Sequence, residues 1–183
     1  MSSVSPTTNM AVGQEDGGDR TGRATLFDIS RLDLSERRVG REQIGRVNPH
    51  RFEMALIDWV VWHERDFTRG IGLKIVRSDE FWVKGHFPGK PMYPGVMMIE
   101  TAAQLASFLY NSRFTEPTLP VFARIEDASF RNPVQPGDEL YVLCQDVKFS
   151  SKRFVSDVQG VVAGRVAFEA RITGYSGGRV AIE

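Results

Sequence analysis

Residues 96–110, VMMIETAAQLASFLY, constrain this chain more than any other stretch. Met, Ala, Leu and Gln are good helix formers, and Gly95 stands at the start of the run. Apolar residues fall on every side of the helical wheel, so the helix has to be buried on every side. It is shorter than the ~18–20 apolar residues of a membrane span, and it holds Glu100 and Gln104. The chain has 183 residues, enough for one domain with or without an appendage. Another part of the sequence must therefore wrap this helix.

The C-terminal half supplies the wrapper. Residues 121–130, 140–149, 154–162 and 165–174 are rich in Val, Phe, Tyr and Ile and read as strands. Pro136-Gly137-Asp138, Ser150-Ser151-Lys152 and Ala163-Gly164 are turn signals between them. Upstream, residues 55–62 (ALIDWVVW) read as a strand, and residues 70–78 as a half-buried strand with Ile71, Leu73 and Ile75 alternating against Gly72, Lys74 and Val76. WVKGHFPGKPMYPG, crowded with Gly and Pro, is a loop running into the helix. The expected class is α+β: a curled, mainly antiparallel sheet around one long central helix.

Three segments follow along the chain. Residues 1–23 are Ser-, Thr-, Gly- and Asp-rich without periodicity and read as a disordered tail. Residues 24–47 form an extension, partly helical, in which Leu26, Ile29, Leu32 and Leu34 pack loosely and the charges of 35–46 face solvent. Residues 48–183 are the compact domain. The N-terminus lacks the apolar run of a signal peptide, so a cytoplasmic protein is expected. Twenty-three basic and twenty-three acidic side chains cancel, which gives no electrostatic reason to expect nucleic acid or an anionic membrane as partner. Cys144, the single cysteine, can form neither an intrachain disulfide nor a cysteine zinc site, and reads as a small buried apolar residue.

Chemistry concentrates around the helix. Glu100 and Gln104 are four residues apart and share a face. A carboxylate in an apolar helix needs a partner, as a bonded core glutamate, or its pKa rises until it carries a proton near neutral pH. His86 lies in GHFPG just before the helix, with Pro88 and Pro91 restricting the backbone around it. Its imidazole titrates in the range that proton transfer needs. Gly95 and Val96, at the helix start, present free N–H groups at the positive end of the helix dipole, suited to a carbonyl oxygen gaining negative charge. Together these groups suit one reaction: a base removes a proton beside a thioester carbonyl, donors stabilise the enolate-like oxygen, and an acid helps a β-hydroxyl leave as water.

GHFPGKPMYPGVMMIETAAQ resembles the signature of the FabZ-type 3-hydroxyacyl-acyl carrier protein dehydratases, down to the step from His86 to Glu100. Asn48-Pro49-His50-Arg51 is similar to that family's Leu-Pro-His-Arg, and FRNPVQPGDEL to its Phe-Arg-x-Pro-Val-x-Pro-Gly-Asp segment. The resemblance spans about residues 44 to 175 and implies a hot-dog fold. It implies that His86 is the catalytic histidine and that Glu100 is a catalytic carboxylate arriving from the partner subunit. It implies that the Gly95 N–H binds the thioester carbonyl beside Val96, and that Gln104 supports the site. It also implies no metal, no cofactor, an acyl carrier protein bearing a 3-hydroxyacyl phosphopantetheine thioester as partner, and a homodimer or trimer of dimers. A sister branch that also isomerises the double bond has Asp where this chain has Glu100, so dehydration alone is expected. Two other classes stay open on the residues alone: a hot-dog acyl thioesterase, which does not need His86, and a non-catalytic acyl-binding subunit, which need not keep both His86 and Glu100. Asn48, Met92, Tyr93 and Arg124 depart from the usual pattern; Arg124 is expected to bear on chain length or carrier choice. His50 is read as structural and His63 as a surface residue.

Overall fold

The computed structural model describes residues 23–179; apart from Arg23, the tail expected over 1–23 lies outside them. The elements run β1 (Val39–Gly40), α1 (Arg41–Gly45), a 3-10 turn (Phe52–Met54), β2 (Trp59–His63), β3 (Arg69–Ile75), α2 (Gly95–Asn111), β4 (Thr118–Phe130), β5 (Glu139–Phe149), β6 (Arg153–Val162) and β7 (Arg165–Arg179). The strands form one sheet in the order β1-β2-β3-β5-β6-β7-β4, and every pairing is antiparallel. The sheet curls around α2, and the helix core (Met98, Ile99, Ala102, Leu105, Ala106, Leu109) packs with Val60, Val142, Val158, Phe168 and Ile172. This is the hot-dog fold, α+β as expected. Among the described residues no helix is long and apolar enough to cross a membrane.

Two cross-strand pairs leave no room for a second side chain. Gly160 pairs with Phe168 and Gly174 with Phe154. Each ring lies where the glycine's Cβ would be, 2.2 Å from it for Phe168 and 2.3 Å for Phe154, so any side chain at either glycine would collide with its neighbour.

Two expectations need correction. The strand expected from residue 55 starts at Trp59. Ahead of it, the Leu56 N–H donates to the Gln104 side chain (3.0 Å) rather than to a neighbouring strand. Strand β3 is also not half-buried: residues 70–74 are buried throughout. Its glycine face lies on the helix, with Gly70 against Leu109 and Gly72 against Leu105. Ile71, Leu73 and Ile75 point the other way, into a second cluster with Val61, Leu143 and Val161.

The N-terminal extension covers that second cluster. Phe27, Leu26, Ile29, Leu32 and Leu34 pack on it. Phe27 meets Trp62 (ring centroids 5.7 Å apart) and lies under the Arg69 guanidinium. Buried Gln159 clips the strap to β6, accepting from the Leu26 N–H at 2.9 Å and donating to the Ala24 carbonyl at 3.3 Å. Within 35–46 only residues 41–45 are helical. Arg41 of that short helix joins Arg77 on the buried Asp58 carboxylate, at 2.8 and 2.7 Å.

Candidate active site

The loop that carries His86 is held at several points. Glu80 accepts from the Arg77 N–H, from Lys74 Nζ and from Trp82 Nε1. Burial works to raise the Glu80 pKa, but these bonds prevail and hold it below the ordinary carboxylate range. The Trp82 carbonyl in turn accepts from the His86 N–H at 2.9 Å, and the Met92 N–H donates to the His86 carbonyl at 2.7 Å. The Tyr93 N–H reaches across to the Val134 carbonyl, also at 2.7 Å.

These bonds fix the imidazole as well as the backbone. His86 Nδ1 lies 2.8 Å from the Met92 carbonyl, and the ring stacks on Phe87. A carbonyl accepts only, so Nδ1 carries a proton, and it is Nε2 whose lone pair is available in the neutral ring, the form a general base requires.

The start of α2 faces the same space. Met97 and Met98 donate back to the Pro94 carbonyl. Among the described residues nothing accepts from the N–H groups of Gly95 and Val96. The Phe130 ring lies 2.8 Å from where a Gly95 Cβ would stand, so a side chain at this position would have to push the ring aside. His86, Met92, Gly95, Val96, Phe130 and Pro133 line a groove of about 570 Å³. His86, Gly95 and Val96 thus come together as the sequence led us to expect.

Glu100 and Gln104 do not join them. They lie toward the 48–56 segment, where Gln104 Nε2 donates to Glu100 Oε1 (2.9 Å) and to the Met54 carbonyl (2.8 Å). No contact links Glu100 to His86 within the chain among the described residues. Val96, Glu100 and Ala103, one stripe of the helix, are less buried than the residues around them, and Val96 is 73% exposed.

One neighbour of Glu100 was underrated by sequence reasoning. His50 Nε2 lies 3.4 Å from Glu100 Oε1. Burial lowers the His50 pKa; Glu100 opposes that shift and Arg51 assists it. The available signal was a histidine beside Pro49 in the segment that resembles the family's entrance motif. Asn48, an oddity in sequence, is explained by its contacts. It is buried, donates to the Gln104 carbonyl (2.8 Å) and accepts from Ser107 Oγ (2.8 Å), so both polar atoms of its side chain are met. His63 stacks on Phe67, and Arg124 is exposed on β4 beside Glu126. Cys144 is fully buried, its thiol pushed up to about 12, chiefly by burial, which leaves it inert as a nucleophile.

A FabA-like domain matches residues 48–171. The chain belongs to this family. Among curated FabA-like relatives, the 3-hydroxyacyl-acyl-carrier-protein dehydratase FabZ of Sodalis glossinidius (strain morsitans) is 38% identical over 137 residues, 70% of this chain and 87% of that protein. The dehydratase of the same name from Pseudothermotoga lettingae is 36% identical over 125 residues, 66% of this chain and 87% of that protein. In three dimensions the FabA-like fold here is similar to the dehydratase heterocomplex ApeI:P from Xenorhabdus doucetiae, with a TM-score of 0.64 at 16% identity, covering 73% of this chain and 90% of that one.

Proposed function

We propose that this FabA-like chain is a hydro-lyase that converts a 3-hydroxyacyl thioester on acyl carrier protein to the trans-2-enoyl thioester, in fatty acid biosynthesis or a related acyl pathway. The observation that carries this is His86, with a free Nε2 lone pair, in one groove with the unpaired N–H groups of Gly95 and Val96. The thioester carbonyl accepts from those N–H groups, which acidifies the neighbouring C2–H. Nε2 of His86 takes the C2 proton, and the C–H electron pair becomes the C2=C3 double bond. The C3–O bond breaks, and the hydroxyl leaves as water with a proton from the Glu100 carboxyl. Purified protein incubated with a 3-hydroxyacyl carrier-protein thioester should give a product lighter by one water. Release of free acid instead would identify a thioesterase and refute dehydration.

Glu100 enters this scheme from a second copy of the chain. Two features support a dimer: the less buried helix stripe Val96, Glu100 and Ala103, and strand β4. Among the described residues that strand pairs only with β7, and its Val121, Phe122, Ile125 and Phe130 are exposed. A long apolar edge left open invites pairing or aggregation, and a second copy would cover it. Sedimentation should therefore find a homodimer or a trimer of dimers. A stable, fully active monomer would contradict the proposal. We also assign residues 1–23 as a tail dispensable for turnover, 24–47 as an extension, and 48–183 as the dehydratase domain.

A further inference from the structure

Two groups converge on one oxygen of Glu100 and leave the other bare. Gln104 Nε2 donates to Oε1 at 2.9 Å, and the His50 Nε2 edge stands 3.4 Å from the same atom. Among the described residues nothing bonds Oε2. Gln104 has no freedom to turn its amide over: its Oε1 accepts from the Leu56 N–H, while Nε2 also serves the Met54 carbonyl. The backbone that carries His50 is held as well. The Arg51 guanidinium donates to the carbonyls of Gly45, Asn48 and His50, and Asn48 ties the same turn to α2.

We propose that His50 is a positioning residue: as the Nε2–H tautomer it holds Glu100 Oε1 together with Gln104, so that Oε2 is the oxygen presented to substrate. This rests on the assignment of Glu100 to the dehydration site. The tautomer follows from the surroundings of the other ring nitrogen. His50 Nδ1 is buried without a partner. A proton there would orphan a donor and turn the Nε2 lone pair toward a carboxylate oxygen. A proton on Nε2 leaves only an acceptor unmet, the less costly arrangement. Burial lowers the His50 pKa and the Arg51 cation assists, against the pull of Glu100. A neutral Nε2–H donor orients the Glu100 carboxyl and has no free lone pair on that nitrogen to take the carboxyl's proton.

Nitrogen NMR of the full-length wild-type chain with labelled histidine tests this directly. The chain has three histidines, so His63→Gln and His86→Gln assign the His50 signals by elimination. We expect a protonated Nε2 and a pyridine-like Nδ1 at about pH 7.5, above the ordinary imidazole range; the opposite tautomer would overturn the proposal. A functional arm compares His50→Gln, which keeps a donor near Nε2, with His50→Leu, which keeps volume alone. Misplacing a catalytic group by an ångström costs on the order of 10²-fold, so kcat should fall about 10- to 100-fold in the Leu variant and stay within about threefold in the Gln variant, with KM nearly constant in both. Equal kcat in the two variants, high or low, would overturn the proposal. If the wild-type protein dehydrates no 3-hydroxyacyl thioester, the functional assignment fails, whereas the tautomer still decides how His50 holds Glu100.

Discussion

His86→Ala and Glu100→Gln are each expected to lower kcat for dehydration by about 10²- to 10⁴-fold, the usual loss when a positioned base or acid is removed. His86 donates from Nδ1 to the Met92 carbonyl, so only Nε2 is free to accept the C2 proton, and alanine offers no substitute. Glutamine at 100 keeps shape and one carbonyl oxygen, but it cannot protonate the leaving hydroxyl. Because the two groups serve one transition state, the double variant should be little worse than the poorer single one. Steady-state kinetics on variants checked for folding and oligomeric state decides the matter. A single variant that keeps more than about a tenth of wild-type kcat would show that its side chain is not the acid or base assigned here. Residues that only pack would shift thermal stability and leave turnover per folded molecule unchanged.

Phe27→Ala should destabilise the protein by about 3–5 kcal/mol, the cost of emptying a buried aromatic site. Phe27 is 8% exposed, lies in the cluster on the face of β3 turned away from α2, and packs on Trp62 beneath Arg69. The strap it belongs to covers Ile71, Leu73 and Leu143, which would otherwise meet water on the outer face of the sheet. Urea unfolding of the variant should show a lower midpoint with kcat per folded molecule retained. A truncation beginning at Arg23 should behave as wild type in both respects, because among the described residues the contacts of the strap start with Arg23, which pairs with Glu169 at 3.0 Å, and continue through Ala24 and Leu26. A Phe27→Ala midpoint equal to wild type would mean that the strap is not part of the folded unit.

Much of this protein is legible along the chain because its signals are local. The central helix is marked by its all-round apolar run, and the last four strands by alternation between turn signals; the observed bounds differ from the expected ones by a few residues, most at the far end of β7. His86, Gly95 and Val96 lie within eleven residues of one another, so one short segment carries the groove they share. The covered outer face of β3 was not legible. Alternation of Ile71, Leu73 and Ile75 against Gly70, Gly72 and Lys74 says that the two faces differ, but not which one meets the helix. The larger face would ordinarily be assigned to the core. Here Leu109 approaches so closely that only glycine fits beneath it at position 70, Leu105 lies in van der Waals contact over Gly72, and the bulky face turns outward to be covered by a strap.

The surroundings of Glu100 were hidden for a related reason. Its fixed oxygen depends on Gln104, four residues away and visible from helical periodicity, and on His50, fifty residues upstream and visible only once the chain has folded back. By itself the sequence determined the chemistry available: which acid, which base and which N–H donors exist, and on what elements. Tertiary structure alone decided how they are divided, placing His86 with the helix start in one groove and Glu100 with His50 and Gln104 outside it. The physical reason is geometric. Local spacing fixes which side chains share a face of one element, whereas contacts between distant segments follow from how the sheet curls and from what covers its outer side.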